Sequence, residues 1–140
     1  PFNAINSCVD MGASITMAKG AADGGLYPAV VVIGDSTFTH SGMTGLLDCV
    51  NENADVTIVI FDNETTAMTG GQDSAGTGRI EAICTGLGVD PAHIRVMTPL
   101  KKNYEEMKQT LREELNYHGV SVIIPRRECI QTLARKKRNK

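Results

Sequence analysis

Runs of β-branched residues alternate along this chain with stretches whose apolar positions recur at helical spacing. Ala29-Val-Val-Val-Ile33, Val56-Thr-Ile-Val-Ile-Phe61 and Val120-Ser-Val-Ile-Ile124 are nearly continuous apolar runs, the last ended by Pro125. Strands of that kind belong in parallel sheets covered on both faces. Ile94-Arg-Val-Met97 is a shorter fourth candidate. Helical patterns fill the gaps. Residues 11–22 are rich in small side chains. Residues 41–52 set Met43, Leu46, Leu47 and Val50 on one face. Ile80, Ile83, Cys84 and Leu87 align in the next segment, and Gly88 stands ready to end it. Asn103 with Glu106 three residues on makes a capping-box pattern. It opens a long helix to about His118, with Gly119 as its stop. Four helix–strand alternations predict an α/β domain: a mostly parallel sheet with helices on both faces.

Open parallel sheets bind ligands beyond the carboxyl ends of their strands. Two loops therefore stand out, residues 34–42 after the first strand and residues 62–78 after the second. The second is long for a connection without structure of its own. The first loop opens Gly34-Asp35-Ser36-Thr37. Gly34 would let the chain turn tightly, Asp35 would present a carboxylate, and Ser36 and Thr37 would offer donors just before a helix. A helix start also favours an anion. The second loop opens Asp62-Asn63-Glu64-Thr65 and continues Thr69-Gly70-Gly71-Gln72. Asn63 offers an amide oxygen, Thr65 a backbone carbonyl, and Thr69 and Gly70 a phosphate-cradling turn. Mg²⁺ takes octahedral oxygen ligands, few of them from protein when phosphates are present. The 25 residues between Ser36 and Asp62 give room for one helix and one returning strand. The two loops would then lie side by side. Taken singly, each element is ordinary turn and cap chemistry.

Length and composition leave this picture intact. The 140 residues suit one domain, and 41% hydrophobic and 21% charged residues are ordinary for a globular protein. No apolar run reaches the ~20 residues of a membrane span, and no basic-then-apolar leader opens the chain. The missing initiator methionine suggests an excised or processed segment. Cys8, Cys49, Cys84 and Cys129 are too scattered for a local zinc or iron–sulfur run. They are expected to be buried or tolerated thiols of a reducing cytoplasm. Net charge is −2, but Arg135, Lys136, Lys137, Arg138 and Lys140 hold five of the positive charges. Without them 9 basic and 16 acidic residues remain, a balance of −7. A basic tail can touch nucleic acid or anionic lipid. With no aromatic residue among the charges, a solvated terminus or linker is expected here, and neither nucleic acid nor membrane as a partner.

Gly34-Asp35-Ser36, the spacer and Asp62-Asn63 together resemble the thiamine diphosphate motif, whose usual form is Gly-Asp-Gly followed after a similar spacer by Asn-Asn. Ser36 replaces the third glycine and Asp62 the first asparagine, while Asp35 and Asn63, the metal-binding positions, are retained. Thr65-Thr-Ala-Met-Thr-Gly-Gly-Gln72 is similar to the 2-oxoacid:ferredoxin oxidoreductases. Gly34-Asp-Ser-Thr-Phe-Thr-His-Ser-Gly42, Met11-Gly-Ala-Ser-Ile15 and Pro125-Arg-Arg-Glu-Cys129 resemble the alpha subunit of the indolepyruvate members, so the likeness spans nearly the whole chain.

The resemblance implies the pyrophosphate-binding (PP-type) α/β fold, incomplete here. Residues 1–125 would form the C-terminal part of that domain and 126–140 a basic tail or linker. Asp35, Asn63 and the Thr65 carbonyl would hold Mg²⁺. Gly34, Ser36, Thr37, Thr69 and Gly70 would contact the diphosphate, and Met11 and Gly12 would line the cofactor. His40, near the diphosphate loop, would reach the substrate carboxylate or the cofactor in a catalytic role, unless it is a helix-start histidine bonded to backbone. His93 and His118 are expected at the surface. In such enzymes a glutamate from a separate pyrimidine-binding domain or subunit activates the cofactor, and iron–sulfur clusters lie elsewhere in the protein. The parent protein would oxidatively decarboxylate an aryl 2-oxoacid, indolepyruvate by resemblance, to an acyl-CoA and reduce ferredoxin. A non-catalytic binding fragment and a non-oxidative 2-oxoacid decarboxylase are the alternatives.

Overall fold

The four predicted strands all form and pair in parallel. They are β1 (Ala29–Gly34), β2 (Val56–Phe61), β3 (Ile94–Met97) and β4 (Val120–Pro125), in the sheet order β1-β2-β4-β3. The computed structural model describes residues 5–65, 72 and 74–130. Its helices are α1 (Ser14–Asp23), α2 (Asp35–Thr37), α3 (Met43–Asn51), α4 (Ile80–Gly86) and α5 (Tyr104–Leu115). A π-helical stretch, Phe38–Gly42, joins α2 to α3. Short 3₁₀ turns at Pro91–His93 and Lys101–Asn103 precede β3 and α5.

Side chains alternate across each strand, so register decides what each face of the sheet holds. Ala29, Val31 and Ile33 pair with Val56, Ile58 and Ile60, and Val56 and Ile58 in turn pair with Val120 and Val122. This face is the core. Ile15 of α1, Phe38, Leu46 and Cys49 of the following helical run, and Ile80 and Cys84 of α4 close over it, all fully buried. The opposite face carries Thr57 and Ser121, and α5 covers it there. Thr57 Oγ1 donates to the Glu114 carbonyl (3.2 Å), and Ser121 Oγ donates to Thr57 Oγ1 (3.3 Å). Helices thus flank both faces, as the alternating pattern predicts.

β2 and β4 are buried through nearly their whole length, but β1 is not. Val30 and Val32 are 47% and 55% exposed. β1 is the edge of the sheet among the described residues, and α5 packs on β4. The apolar run of β1 therefore meets a helix layer on one face only.

Three local expectations need correction. The segment after β1 is not a loop: helix begins at Asp35 and runs through the π-helical stretch to Asn51. Its buried stripe is Gly42, Gly45, Leu46 and Cys49, leaving Leu47 42% exposed. Gly42 and Gly45 face Ile15, Ile33 and Phe38, a contact that residue size permits and hydrophobicity patterning misses. Asn103 does not cap α5 with its side chain; its Nδ2 donates to the Thr98 carbonyl (3.0 Å), and α5 ends at Leu115. His93 is half-buried: it bonds the buried Glu114 (2.9 Å) and stacks on Tyr117. His118 is exposed, as expected, and pairs with Asp55.

Candidate functional site

Parallel pairing of β1 with β2 sets Gly34 opposite Phe61. The next residue in each strand is an aspartate, so Asp35 and Asp62 emerge at equivalent positions on the carboxyl edge of the sheet. Both are buried, 3% and 1% exposed. Two buried carboxylates at one strand edge repel each other and lose hydration, so each needs compensation.

Asp62 finds it in protein. Its Oδ2 accepts a short bond from Arg126 Nε (2.6 Å), and its Oδ1 accepts the Glu64 amide N–H (3.1 Å). The Arg126 guanidinium is itself forked onto Glu81 of α4, Nη1 to Oε1 at 2.8 Å and Nη2 to Oε2 at 2.6 Å. That bidentate bond is the first cause holding the Glu81 carboxyl below its ordinary range.

Asp35 is only half satisfied. Its Oδ1 accepts the Ser36 amide N–H (2.8 Å), while Oδ2 is buried and bonded to nothing among the described residues. Burial pushes its pKa up first, and the charge of Asp62 adds to the rise. A buried carboxylate with one bare oxygen is suited to a cation.

Around Asp35 the hydroxyls are ordered. Thr39 Oγ1 donates to the Asp35 carbonyl (3.2 Å), and Ser36 Oγ lies 3.4 Å from Ser74 Oγ. Ser74, buried, comes from the long second loop, so the two loops meet there. Asn63 turns the second loop: its Oδ1 accepts the Thr65 amide (3.1 Å), which leaves a further lone pair on that oxygen. Thr65 is buried and its hydroxyl donates to the Gln72 carbonyl (3.0 Å).

Gly34 does not make the tight turn expected of it. Its φ of −82° and ψ of 154° are extended backbone open to any residue. No atom of the described residues lies within 4 Å of where its Cβ would stand, so its contribution is room. Gly12 is the constrained glycine. Its φ is +99°, and a Cβ there would sit 2.1 Å from Ser41 Oγ and 4.0 Å from Thr37 Cγ2. This brings residues 11 and 12 against the helical run that starts at Asp35. Met11 itself is 78% exposed. His40 is exposed in the π-helical stretch and makes no hydrogen bond or ion pair among the described residues. Thr69, Gly70 and the basic tail 135–140 lie outside the described residues.

No cluster of three or more His, Cys, Asp or Glu side chains able to hold a metal occurs among the described residues. A site offering one carboxylate, an amide oxygen and a carbonyl fits a hard cation that arrives with phosphate oxygens. Pattern reading overlooked Arg126, Glu81 and Ser74. Arg126 follows directly on Pro125 at the carboxyl end of β4, and the strand-end rule would have singled it out.

Comparison with known proteins points the same way. Residues 1–124 match the family model described as "Thiamine pyrophosphate enzyme, C-terminal TPP binding domain". The indolepyruvate oxidoreductase subunit IorA of Archaeoglobus fulgidus is 37% identical over 149 residues, covering 99% of this chain and 23% of that protein. Its counterpart in Pyrococcus horikoshii is 34% identical, covering 92% and 23%. Among solved structures, benzoylformate decarboxylase from Polynucleobacter necessarius superposes with a TM-score of 0.65 at 24% identity, covering 84% of this chain and 24% of that one. A thiamine diphosphate-dependent 4-hydroxybenzoylformate decarboxylase from Rhodococcus jostii gives 0.63 at 21%, covering 84% and 23%. At those identities the structures speak for the fold. The chain spans about a quarter of the length of the curated relatives it matches. No helix among the described residues is long and apolar enough to cross a membrane.

Proposed function

Because the chain belongs to the C-terminal TPP-binding domain family of thiamine pyrophosphate enzymes, we propose that it supplies the Mg²⁺-diphosphate grip of a thiamine-diphosphate-dependent enzyme that decarboxylates a 2-oxoacid. By itself it is a binding part without turnover. The observation that carries this proposal is the buried Oδ2 of Asp35 at the carboxyl edge of the sheet, which has no hydrogen-bond partner among the described residues. When bound, the cofactor's thiazolium supplies stabilisation of the carbanion left as CO₂ departs. The chain's own residues bind and orient. Asp35 is the carboxylate ligand of Mg²⁺, with Asn63 and the Thr65 carbonyl as neutral oxygen donors. The open side of Gly34 leaves space for diphosphate oxygens, and Ser36 and Thr37, with Thr69 and Gly70, donate to them. Met11 and Gly12 line the cofactor from the segment seated on Thr37 and Ser41. His40, exposed beside this grip, is the candidate for contact with the substrate carboxylate.

Two finer versions have specific support. Sequence relatives at 31% to 37% identity are indolepyruvate oxidoreductase subunits. Their names favour an oxidative reaction on an aryl 2-oxoacid; a CoA thioester product, ferredoxin as electron acceptor, and iron–sulfur clusters and a pyrimidine-binding domain elsewhere in the assembly rest on the motif resemblance of residues 34–42 and 65–72. The structural neighbours are decarboxylases, and they favour the non-oxidative outcome. Cofactor binding and 2-oxoacid chemistry are common to both, and the comparisons back that shared part better than the oxidative steps.

Calorimetric titration of Mg²⁺ and thiamine diphosphate into the chain tests the grip. Binding that needs both, and that disappears in Asp35→Ala and Asn63→Ala, is the expected result. No binding, or binding untouched by those substitutions, sinks the assignment. For the whole assembly, CoA-dependent reduction of a one-electron dye by an aryl 2-oxoacid supports the oxidative version. Release of free aldehyde without acceptor supports the other.

A further inference from the structure

Arg126 ties the start of the second loop to α4. Its Nε bonds Asp62 at 2.6 Å, and its other two nitrogens bond Glu81 on α4. The backbone repeats the tie. Asp62 N–H donates to the Pro125 carbonyl, Arg127 N–H to the Asp62 carbonyl and Cys129 N–H to the Asn63 carbonyl, at 3.1, 2.9 and 3.2 Å. Residues 126–129 are thus laced to the end of β2. Arg126 N–H also reaches the Met97 carbonyl at the end of β3 (2.8 Å). One residue thereby joins the ends of β2, β3 and β4 to α4. Beyond Asp62 the order passes on locally. Asp62 Oδ1 holds the Glu64 amide, with Glu64 at a φ of +59°, and Asn63 Oδ1 holds the Thr65 amide.

We infer that Arg126 is the positioning residue of this site. By clamping Asp62 it fixes the turn that carries Asn63 and Thr65, the residues that would join Asp35 in holding Mg²⁺, and it neutralises Asp62 so that Asp35 would present the charge to the metal. This deepens the proposed grip and rests on that reading. Partners that orient metal ligands typically change metal affinity ~10–100-fold when removed. An arginine is required rather than a lysine, since one planar fork bonds Glu81 with two nitrogens while the third nitrogen faces Asp62.

The test is a double-mutant cycle on Arg126→Met and Asp62→Asn, read as Mg²⁺ affinity in the presence of thiamine diphosphate and, separately, as amide hydrogen exchange at Glu64 and Thr65 without either ligand. Circular dichroism melts select temperatures at which every variant is folded. Arg126→Met should weaken Mg²⁺ binding ~10–100-fold when Asp62 is present but less than ~3-fold in the Asp62→Asn background, where no buried charge is left to clamp. It should speed exchange at both amides in the first background alone, and Arg126→Lys should restore little of either. An equal loss of affinity in both backgrounds would mean that Arg126 touches the diphosphate directly and would overturn the inference. So would unchanged exchange at Glu64 and Thr65. A wild-type chain that binds no Mg²⁺ sinks the grip itself, and the exchange arm still decides what Arg126 does to the loop.

Discussion

Replacing Asp35 with asparagine should make the ligand-free chain more stable while abolishing its metal site. Asp35 is 3% exposed, its Oδ1 takes the Ser36 N–H and its Oδ2 takes nothing among the described residues. A buried polar group without a partner costs about 1–3 kcal/mol, and more when charged. Asparagine keeps the shape and the Ser36 bond but carries no charge, so a gain of ~1–2 kcal/mol is expected at pH 7. For a chain of this size that is roughly 3–8 °C in Tm. The sign with pH follows from burial. Asp35 has its folded pKa raised above the unfolded value, so its ionised form is disfavoured in the fold. The cost is absent below the unfolded pKa, grows as pH rises through the raised folded value, and is complete above it. The stability gap between Asp35→Asn and wild type should therefore open with rising pH and then level off. Saturating Mg²⁺ and thiamine diphosphate reverse the order. A ligand at a hundred times its Kd adds about 2.7 kcal/mol to whatever binds it, and only the aspartate chain qualifies. Urea unfolding of both proteins from pH 4 to 8, with and without the ligand pair, measures all of this. An Asp35→Asn chain that is less stable than wild type without ligand, or a gap that narrows as pH rises, would refute the reasoning.

Two further outcomes follow from neighbouring groups. Glu81 has its pKa lowered, first by its hydrogen bond to Arg126, so its contribution is present above the unfolded pKa and lost as pH falls through the folded one. Glu81→Gln should flatten the acid limb of the urea midpoint against pH; an acid limb unchanged from wild type would show that the fork carries no stability. Burial pushes the Cys49 and Cys84 thiols up to about 11 and about 12, whereas Cys8 is exposed. Iodoacetamide followed by mass spectrometry should modify Cys8 promptly and the two buried thiols only at the rate of unfolding. Modification of Cys49 or Cys84 in the folded chain at the rate of Cys8 would contradict the packing of α3 and α4.

The sheet was legible because three strands announce themselves as β-branched runs, and parallel pairing follows from the helices between them. β1 misled in one respect. Val30 and Val32 read like Ile58 and Ile60, yet hydrophobicity alone does not reveal that β1 is an edge strand with one helix layer. The stripe of α3 held at Met43, Leu46 and Val50 and failed at Leu47, because the contacts of Gly42 and Gly45 carry no hydrophobic signal. In the candidate site, the rule that ligands lie past strand ends points to Asp35 and Asn63. It was not applied to β4, whose end holds Arg126. Nothing local predicts that Glu81, 45 residues before Arg126 in sequence, fills the other side of its fork. Ion pairs across that separation become visible only when the sheet order places β4 beside β2.

The pairing of β1 with β2 poses a problem that the rest of the site answers. In-register parallel strands whose Gly34 and Phe61 partner each other deliver two aspartates to neighbouring positions, and burial at 3% and 1% denies both their hydration. Satisfying both with arginine would leave no ligand for a cation. Leaving both bare would set two like charges together without water, at a large cost. The structure divides the roles. Asp62 is given a guanidinium that is anchored in turn by Glu81, and its charge is neutralised inside the protein. Asp35 is given one amide hydrogen and an open oxygen. Asymmetry between two chemically identical side chains is therefore what would let the strand edge serve as the proposed cation site. It also explains how aspartate can stand at residue 62, where the usual thiamine diphosphate motif has asparagine: the extra negative charge is tolerable because Arg126 arrives with the neighbouring strand.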